Sequence, residues 1–121
     1  MIVAIQLRPA AGEEDFADRA TTALRALADR PGYLRGSLGR AADDEGAWLL
    51  LTEWESVGAY RRALGNYQVK LHATPLLAEA LDQPSAFEPL LRIEAGGAEV
   101  ATASDRATDP AHRTMFDKPV G

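Results

Sequence analysis

The sequence predicts an α+β domain, an antiparallel sheet with its helices on one face, in the order β-α-β-β-α-β. Three observations predict it. A short strand-like apolar pattern at residues 2–7 gives way to a helical apolar period between residues 16 and 27. Two alternating runs, 33–40 and 47–54, are joined by the polar turn Ala41-Ala42-Asp43-Asp44-Glu45-Gly46. A second helical region then leads into a further apolar run at 86–93.

Each element has its own justification. Ile2, Val3, Ile5 and Leu7 open a strand that stops at Pro9. Glu13-Glu14-Asp15 form an acidic first turn, which complements a helix N-terminus. Phe16, Ala20, Ala23, Leu24 and Leu27 then recur on one helical face, and Pro31-Gly32 ends the helix. In the second strand Leu34, Gly36 and Leu38 alternate with Tyr33, Arg35 and Ser37. In the third, Trp48, Leu50, Thr52 and Trp54 share one face and Leu49, Leu51 and Glu53 the other. Ser56 is an N-cap for a helix carrying Val57, Tyr60, Ala63 and Leu64. Gly65-Asn66 breaks that helix, and Asn66 caps another with Val69, Leu71, His72 and Leu76 directed inward or nearly so. Pro75 kinks or divides it, Gln83-Pro84 ends it, and Ala86–Ile93 forms a fourth strand. The whole is the split βαβ, or ferredoxin-like, arrangement.

The third strand is apolar on both faces, and one layer of helices covers only one of them. The other face is expected to meet a second sheet, which makes the protein a homodimer. Trp48, ~20 Å along the strand from Trp54, is read as a packing residue, the dimer contact being one place for it. Residues 1–95 form the folded domain. Residues 96–121, rich in Ala, Thr, Asp and Pro, form a C-terminal extension expected to pack on the dimer through Met115 or Phe116.

The composition narrows the function. The chain has 121 residues, 46% of them apolar and 26% charged, which is the range of one globular domain. Its net charge is −5 and its longest basic run is Arg61-Arg62, so nucleic acid is not an expected partner. No apolar run approaches a membrane span, and MIVAIQLRP lacks the basic and apolar regions of a signal peptide. A cytoplasmic location is expected. Arginine outnumbers lysine 11 to 2, a bias expected of a GC-rich bacterial genome. There is no cysteine, and the two histidines, His72 and His112, have no ligand-like spacing. Phosphate-loop, dinucleotide and nucleophile-elbow motifs are absent.

One constellation stands apart from this background. Pro31-Gly32-Tyr33-Leu34 leads into a strand hairpin that ends in Trp54-Glu55-Ser56. A helix with Ala59-Tyr60-Arg61 follows, and His72 lies on the next helix. Over residues 1–93 this pattern resembles the antibiotic biosynthesis monooxygenase (ABM) family. The family combines a Pro-Gly-aromatic start of the second strand, a Trp-Glu-Ser or Trp-Glu-Asp strand end and an Ala-aromatic helix pair. The resemblance implies a ferredoxin-like protomer, a dimeric α/β barrel, and small pockets between sheet and helices.

Two branches of that family bear on the site. One comprises monooxygenases that oxidise aromatic polyketide phenols with O2 and use no metal, flavin or haem. There the strand-end tryptophan and the helix tyrosine line the pocket, positions matched by Trp54 and Tyr60, and a basic residue on the following helix falls near His72. An asparagine four residues before the tryptophan is replaced here by Leu50. The other branch degrades haem, with a histidine ligand near the position of His72. Its second tryptophan, nine residues after the first, is replaced here by Ala63.

The chemistry of the residues fits the first branch. Trp54 offers a stacking surface and an indole N–H, or simply fills the core. Tyr60 offers a phenol to a substrate oxygen or to a backbone carbonyl. Neutral His72 can take the proton of a phenolic substrate, whose phenolate reacts with O2 once water is excluded, or it is a surface histidine. The expected function is a cofactor-independent oxygenase acting on a small phenolic or polycyclic aromatic compound. Trp54, Tyr60, Leu50 and His72 are its expected substrate-binding residues, the catalytic ones being His72, Tyr60 and Trp54. The alternative is a non-catalytic ligand-binding or stress-response member, which the replacement by Leu50 favours. Haem degradation is the lesser alternative.

Overall fold

A computed structural model of the chain describes residues 1–101. They fall into two compact units, Met1–Phe87 and a second unit beginning at Glu88.

The first unit opens with β1 (Ile2–Leu7) and α1 (Phe16–Ala28), followed by β2 (Tyr33–Ala41) and β3 (Asp44–Trp54). The helices α2 (Val57–Leu64), α3 (Tyr67–His72) and α4 (Thr74–Leu77) come next, and β4 (Ala86–Phe87) closes the unit. The sheet order is β2-β3-β1-β4, with every neighbouring pair antiparallel. β1 and β2 therefore run parallel with β3 inserted between them, which is the split βαβ topology.

The strand registers decide what the helices cover. Val3 lies opposite Thr52, Ile5 opposite Leu50 and Leu7 opposite Trp48. Val3, Ile5, Leu7, Leu50, Thr52 and Trp54 are all buried. α1 packs here with Phe16, Ala20, Ala23 and Leu27, and its two small residues let the helix approach closely. Trp48 belongs to this covered face. Its ring meets Phe16 edge-on at 5.2 Å, with the Arg40 guanidinium over it. It packs against α1, as a packing residue is expected to.

The opposite face, which includes Ala4, Gln6, Leu49 and Leu51, has no helix on it among the described residues. Leu49 is 36% exposed and Phe87 47% exposed, whereas Leu50 and Thr52 on the other face are buried. The salt bridge Arg35–Glu53, at 3.0 Å, also sits at this side of the sheet.

The second helical region is divided as expected. The Asn66 side chain accepts from the Gln68 and Val69 N–H groups and caps α3, and Pro75 falls in the first turn of α4. Val69, Ala73 and Leu76 face the core, at helical spacings of four and three. That period turns Leu71 and His72 outward, and both are exposed. The inward placement expected for these two is therefore corrected.

The expected fourth strand is also shorter. Only Ile2–Phe87 and Val3–Ala86 pair with β1. Pro89 has no N–H with which to continue a ladder. Strand structure resumes in the second unit as β5 (Leu91–Ile93), paired with β6 (Glu99–Ala101). The Gly97 N–H donates to the Glu94 carbonyl at 2.9 Å and closes the hairpin turn, where Gly96 has φ +91°. Positive φ at that turn position is the demand that glycine meets. Met115, Phe116 and His112 lie outside the described residues.

Candidate functional site

Where β3 ends and α2 begins, the chain gathers three aromatic rings. Trp54 closes β3, Tyr60 stands on the first turns of α2, and Tyr33 opens β2 in register with Trp54. The Trp54 ring lies 5.4 Å from Tyr33, edge-on, and 5.4 Å from Tyr60, tilted by 54°.

Local chemistry fixes this cluster. The Ser56 side chain accepts from the Ala59 N–H at 3.0 Å and starts α2 one residue after the strand bend. The Glu55 N–H donates to the Gly32 carbonyl at 2.8 Å, which ties the bend to the turn before β2. Gly32 has φ +88°, and a Cβ there would collide with the Cβ of Ala59. Pro31-Gly32-Tyr33, Trp54-Glu55-Ser56 and Ala59-Tyr60 thus occur together for a physical reason. Glycine at 32 and alanine at 59 let α2 sit against the turn, and that contact holds Tyr60 beside Trp54. The Trp54 backbone is tied to the first residue as well, since the Met1 ammonium donates to the Trp54 carbonyl and the Trp54 N–H to the Met1 carbonyl, each at 2.8 Å.

The three rings present different groups. Trp54 is 1% exposed, and its indole N–H donates to the Thr52 hydroxyl at 2.9 Å. The N–H that a ligand was expected to use is thus engaged within the protein. Thr52 was not singled out from the sequence. The signal for it is the Thr-x-Trp spacing, which puts hydroxyl and indole on one strand face. Tyr60 is half-buried, and its hydroxyl has no protein hydrogen-bond partner among the described residues. Burial pushes its pKa above the ordinary tyrosine value, so it is a neutral donor at physiological pH. Burial also raises Tyr33, whose hydroxyl lies over Gly36 where any Cβ would be crowded.

Leu50 is buried in the sheet's covered face between Ile5 and Leu38. His72 is elsewhere. It lines a surface groove of about 220 Å³ with Arg19, Thr22, Leu71, Pro75 and Leu76, a lining that includes neither Trp54 nor Tyr60. The structure thus brings Trp54 and Tyr60 together, with Tyr33 and Thr52 around them, and puts His72 in a groove beside α1. No group of three or more His, Cys, Asp or Glu among the described residues is placed to hold a metal ion. No helix among them is long and apolar enough to cross a membrane.

Sheet order, one-sided helices and the aromatic joint define a ferredoxin-like α+β protein. The chain belongs to the antibiotic biosynthesis monooxygenase family, whose profile matches residues 1–73. Among solved structures it is similar to SnoaB from Streptomyces nogalater, described as a cofactor-independent oxygenase. Identity is 25%, with 74% of this chain and 93% of that one covered and a TM-score of 0.57. A SnoaB mutant gives 24% identity over 66% and 82% of the chains, with a TM-score of 0.58. A conserved protein from Methanosarcina mazei shares the fold at 16% identity, covering 70% and 84% of the chains, with a TM-score of 0.58. No curated protein matches the sequence at a significant level.

Proposed function

We propose that the protein is a cofactor-independent monooxygenase that oxidises a small phenolic or polycyclic aromatic compound with O2. The observation that carries this reading is Tyr60, a half-buried neutral phenol whose hydroxyl has no protein partner among the described residues, held against a buried indole. Such a group can donate to the oxygen of a planar phenol as that oxygen gains charge. The description of SnoaB supports the same reading.

In the proposed reaction a base removes the phenolic proton and the phenolate gives an electron to O2. Recombination of the two radicals forms a carbon-bound hydroperoxide, and loss of water leaves a quinone. The substrate supplies all four electrons. One oxygen atom enters the product and the other leaves in water. Tyr60 steadies the phenolate oxygen, while Trp54 and Leu50 form the apolar wall that keeps water out. His72, the expected base, lines a groove beside α1 that includes neither Trp54 nor Tyr60, and would take the proton only of a substrate seated in that groove. Two protomers pair through the uncovered sheet face, and the enzyme works in the cytoplasm.

Turnover of 1-naphthol, followed by quinone absorbance and O2 uptake, tests the proposal. The expected result is turnover without added flavin, metal or haem, reduced at least ~10-fold by Tyr60→Phe. Turnover that requires reduced flavin, or is lost after chelation, would overturn it. A Soret band on stoichiometric haem addition, abolished by His72→Ala, would favour the haem branch instead.

One observation favours a second reading, a ligand-binding member without chemistry. Leu50 occupies the place where the oxygenase branch carries an asparagine, and it is part of the core. Binding of 1-naphthol with no O2 uptake would establish it.

A further inference from the structure

Thr52 is the buried polar side chain in a face otherwise made of Val3, Ile5, Leu7, Leu50 and Trp54. A hydroxyl there costs free energy unless it is hydrogen-bonded, and the partner it has is the indole N–H of Trp54. The two residues are i and i+2 on β3, so the strand's own pleat aims them at each other with no help from a loop. The bond fixes the rotation of the indole about its side-chain torsions, and Tyr33 and Tyr60 pack against the fixed ring.

We infer that Thr52 is a positioning residue: it holds the Trp54 indole N–H away from any ligand, so that the cluster offers phenol hydroxyls, that of Tyr60 and that of Tyr33 over Gly36, and no N–H donor. This deepens the oxygenase reading and rests on it for the ligand's chemistry. A tryptophan with a free N–H would add an N–H donor and welcome carbonyl-rich ligands. With that donor engaged, a planar apolar ligand with one hydroxyl meets the Tyr60 phenol and no competing N–H donor, the Tyr33 hydroxyl being turned over Gly36. Selectivity then follows from the group withheld as much as from the group presented.

The test uses the full chain and NMR of the indole N–H groups, of which the chain has two, at Trp48 and Trp54. In the wild type, hydrogen exchange at the Trp54 N–H should be slowed at least ~10-fold relative to a free indole, since a buried hydrogen-bonded group exchanges only on opening. Its resonance should stay in place as 1-naphthol is added, while Tyr60 ring signals shift. Thr52→Val, nearly isosteric, should speed the exchange and make the indole resonance respond to 1-naphthol. Thr52→Ser should restore slow exchange and the silent indole. A purely structural hydroxyl would not give the indole a new response to ligand.

Fast exchange in the wild type, or an indole resonance that moves with 1-naphthol there, would overturn the inference, and both are read without any variant. Slow exchange combined with no 1-naphthol-dependent shift anywhere upholds the lock and overturns the phenol reading. The two failures are thereby told apart.

Discussion

Tyr60 and Trp54 are neighbours in space, yet substitution should separate them. Tyr60→Phe removes one neutral hydrogen bond and keeps the ring that packs on Trp54, so 1-naphthol affinity should fall by ~0.5–1.5 kcal/mol with little change in melting temperature. Isothermal titration and a thermal melt check both halves. Trp54→Phe reaches further inward, because it removes volume from a fully buried site and orphans the Thr52 hydroxyl. Its stability cost should be ~2–4 kcal/mol, read by urea denaturation. The tyrosines also set a pH dependence. Burial raises both Tyr33 and Tyr60, so the folded state keeps these phenols neutral where the unfolded chain ionises them. Their contribution is fully present below the ordinary value of ~10 and is lost as pH rises through the higher folded values. Urea midpoints should therefore fall above pH ~10, and less steeply in the Tyr33→Phe, Tyr60→Phe double variant.

Among elements, the joint of α2 against the turn before β2 is the most exacting. Gly32→Ala brings both a left-handed backbone and a collision with Ala59, and should cost more than the ~1–3 kcal/mol of backbone strain alone. Because the joint carries Tyr60, ligand binding should weaken along with the melting temperature. A stable Gly32→Ala protein with intact binding would show that the joint does not place Tyr60. The link between α1 and the segment after α4 is softer. Arg19 donates to Glu13 and to Glu79, and its hydrogen bonds hold the Glu79 carboxyl below its ordinary pKa. A depressed carboxylate contributes stability above the unfolded value of ~4.3 that disappears as pH falls through the folded one. The Arg19–Glu79 pair is exposed, so ~0.2–1 kcal/mol is its expected scale. Glu79→Gln should remove that part of the acid sensitivity, so the wild-type advantage over the variant should shrink as pH falls below the ordinary carboxylate value.

At the scale of the molecule, the uncovered sheet face predicts assembly. Sedimentation at micromolar concentration should find twice the 13.0 kDa of one chain. Leu51→Asp, which puts a charge on that face between Ala4 and Ser37, should yield a folded monomer with an unchanged far-ultraviolet spectrum. A monomeric wild type would remove the dimer from the proposal. The prediction was legible in Leu49 and Leu51 alternating with Leu50 and Thr52, just as the helix ends were legible in Pro31-Gly32, Ser56 and Asn66. These are local signals, set by side-chain period and backbone demand. What escaped depended on partners distant in sequence or on small shifts of phase. Pro89 interrupts an apolar run that reads as one strand, and the phase set by Val69 and Ala73 puts His72 outside. The Thr52–Trp54 bond was visible only as an ordinary alternation until the ring orientation was known.

The glycines of this chain separate two costs that are usually entangled. At Gly32 a side chain meets both an unfavourable backbone hand and an occupied space. At Gly36 the backbone is not left-handed, and crowding by the Tyr33 hydroxyl and the Leu51 carbonyl stands alone. At Gly96 the space is open and φ is +91°, so handedness stands alone. For an L-residue the mirror-image demand at Gly96 is a strain, but for a D-residue it is the resting conformation. Chemical synthesis of the β5–β6 hairpin with D-alanine at 96 should therefore tighten it by ~0.4–1 kcal/mol, while L-alanine loosens it. Gly36 would gain nothing of that kind, since its backbone is not left-handed and holds no strain that a D-residue relieves.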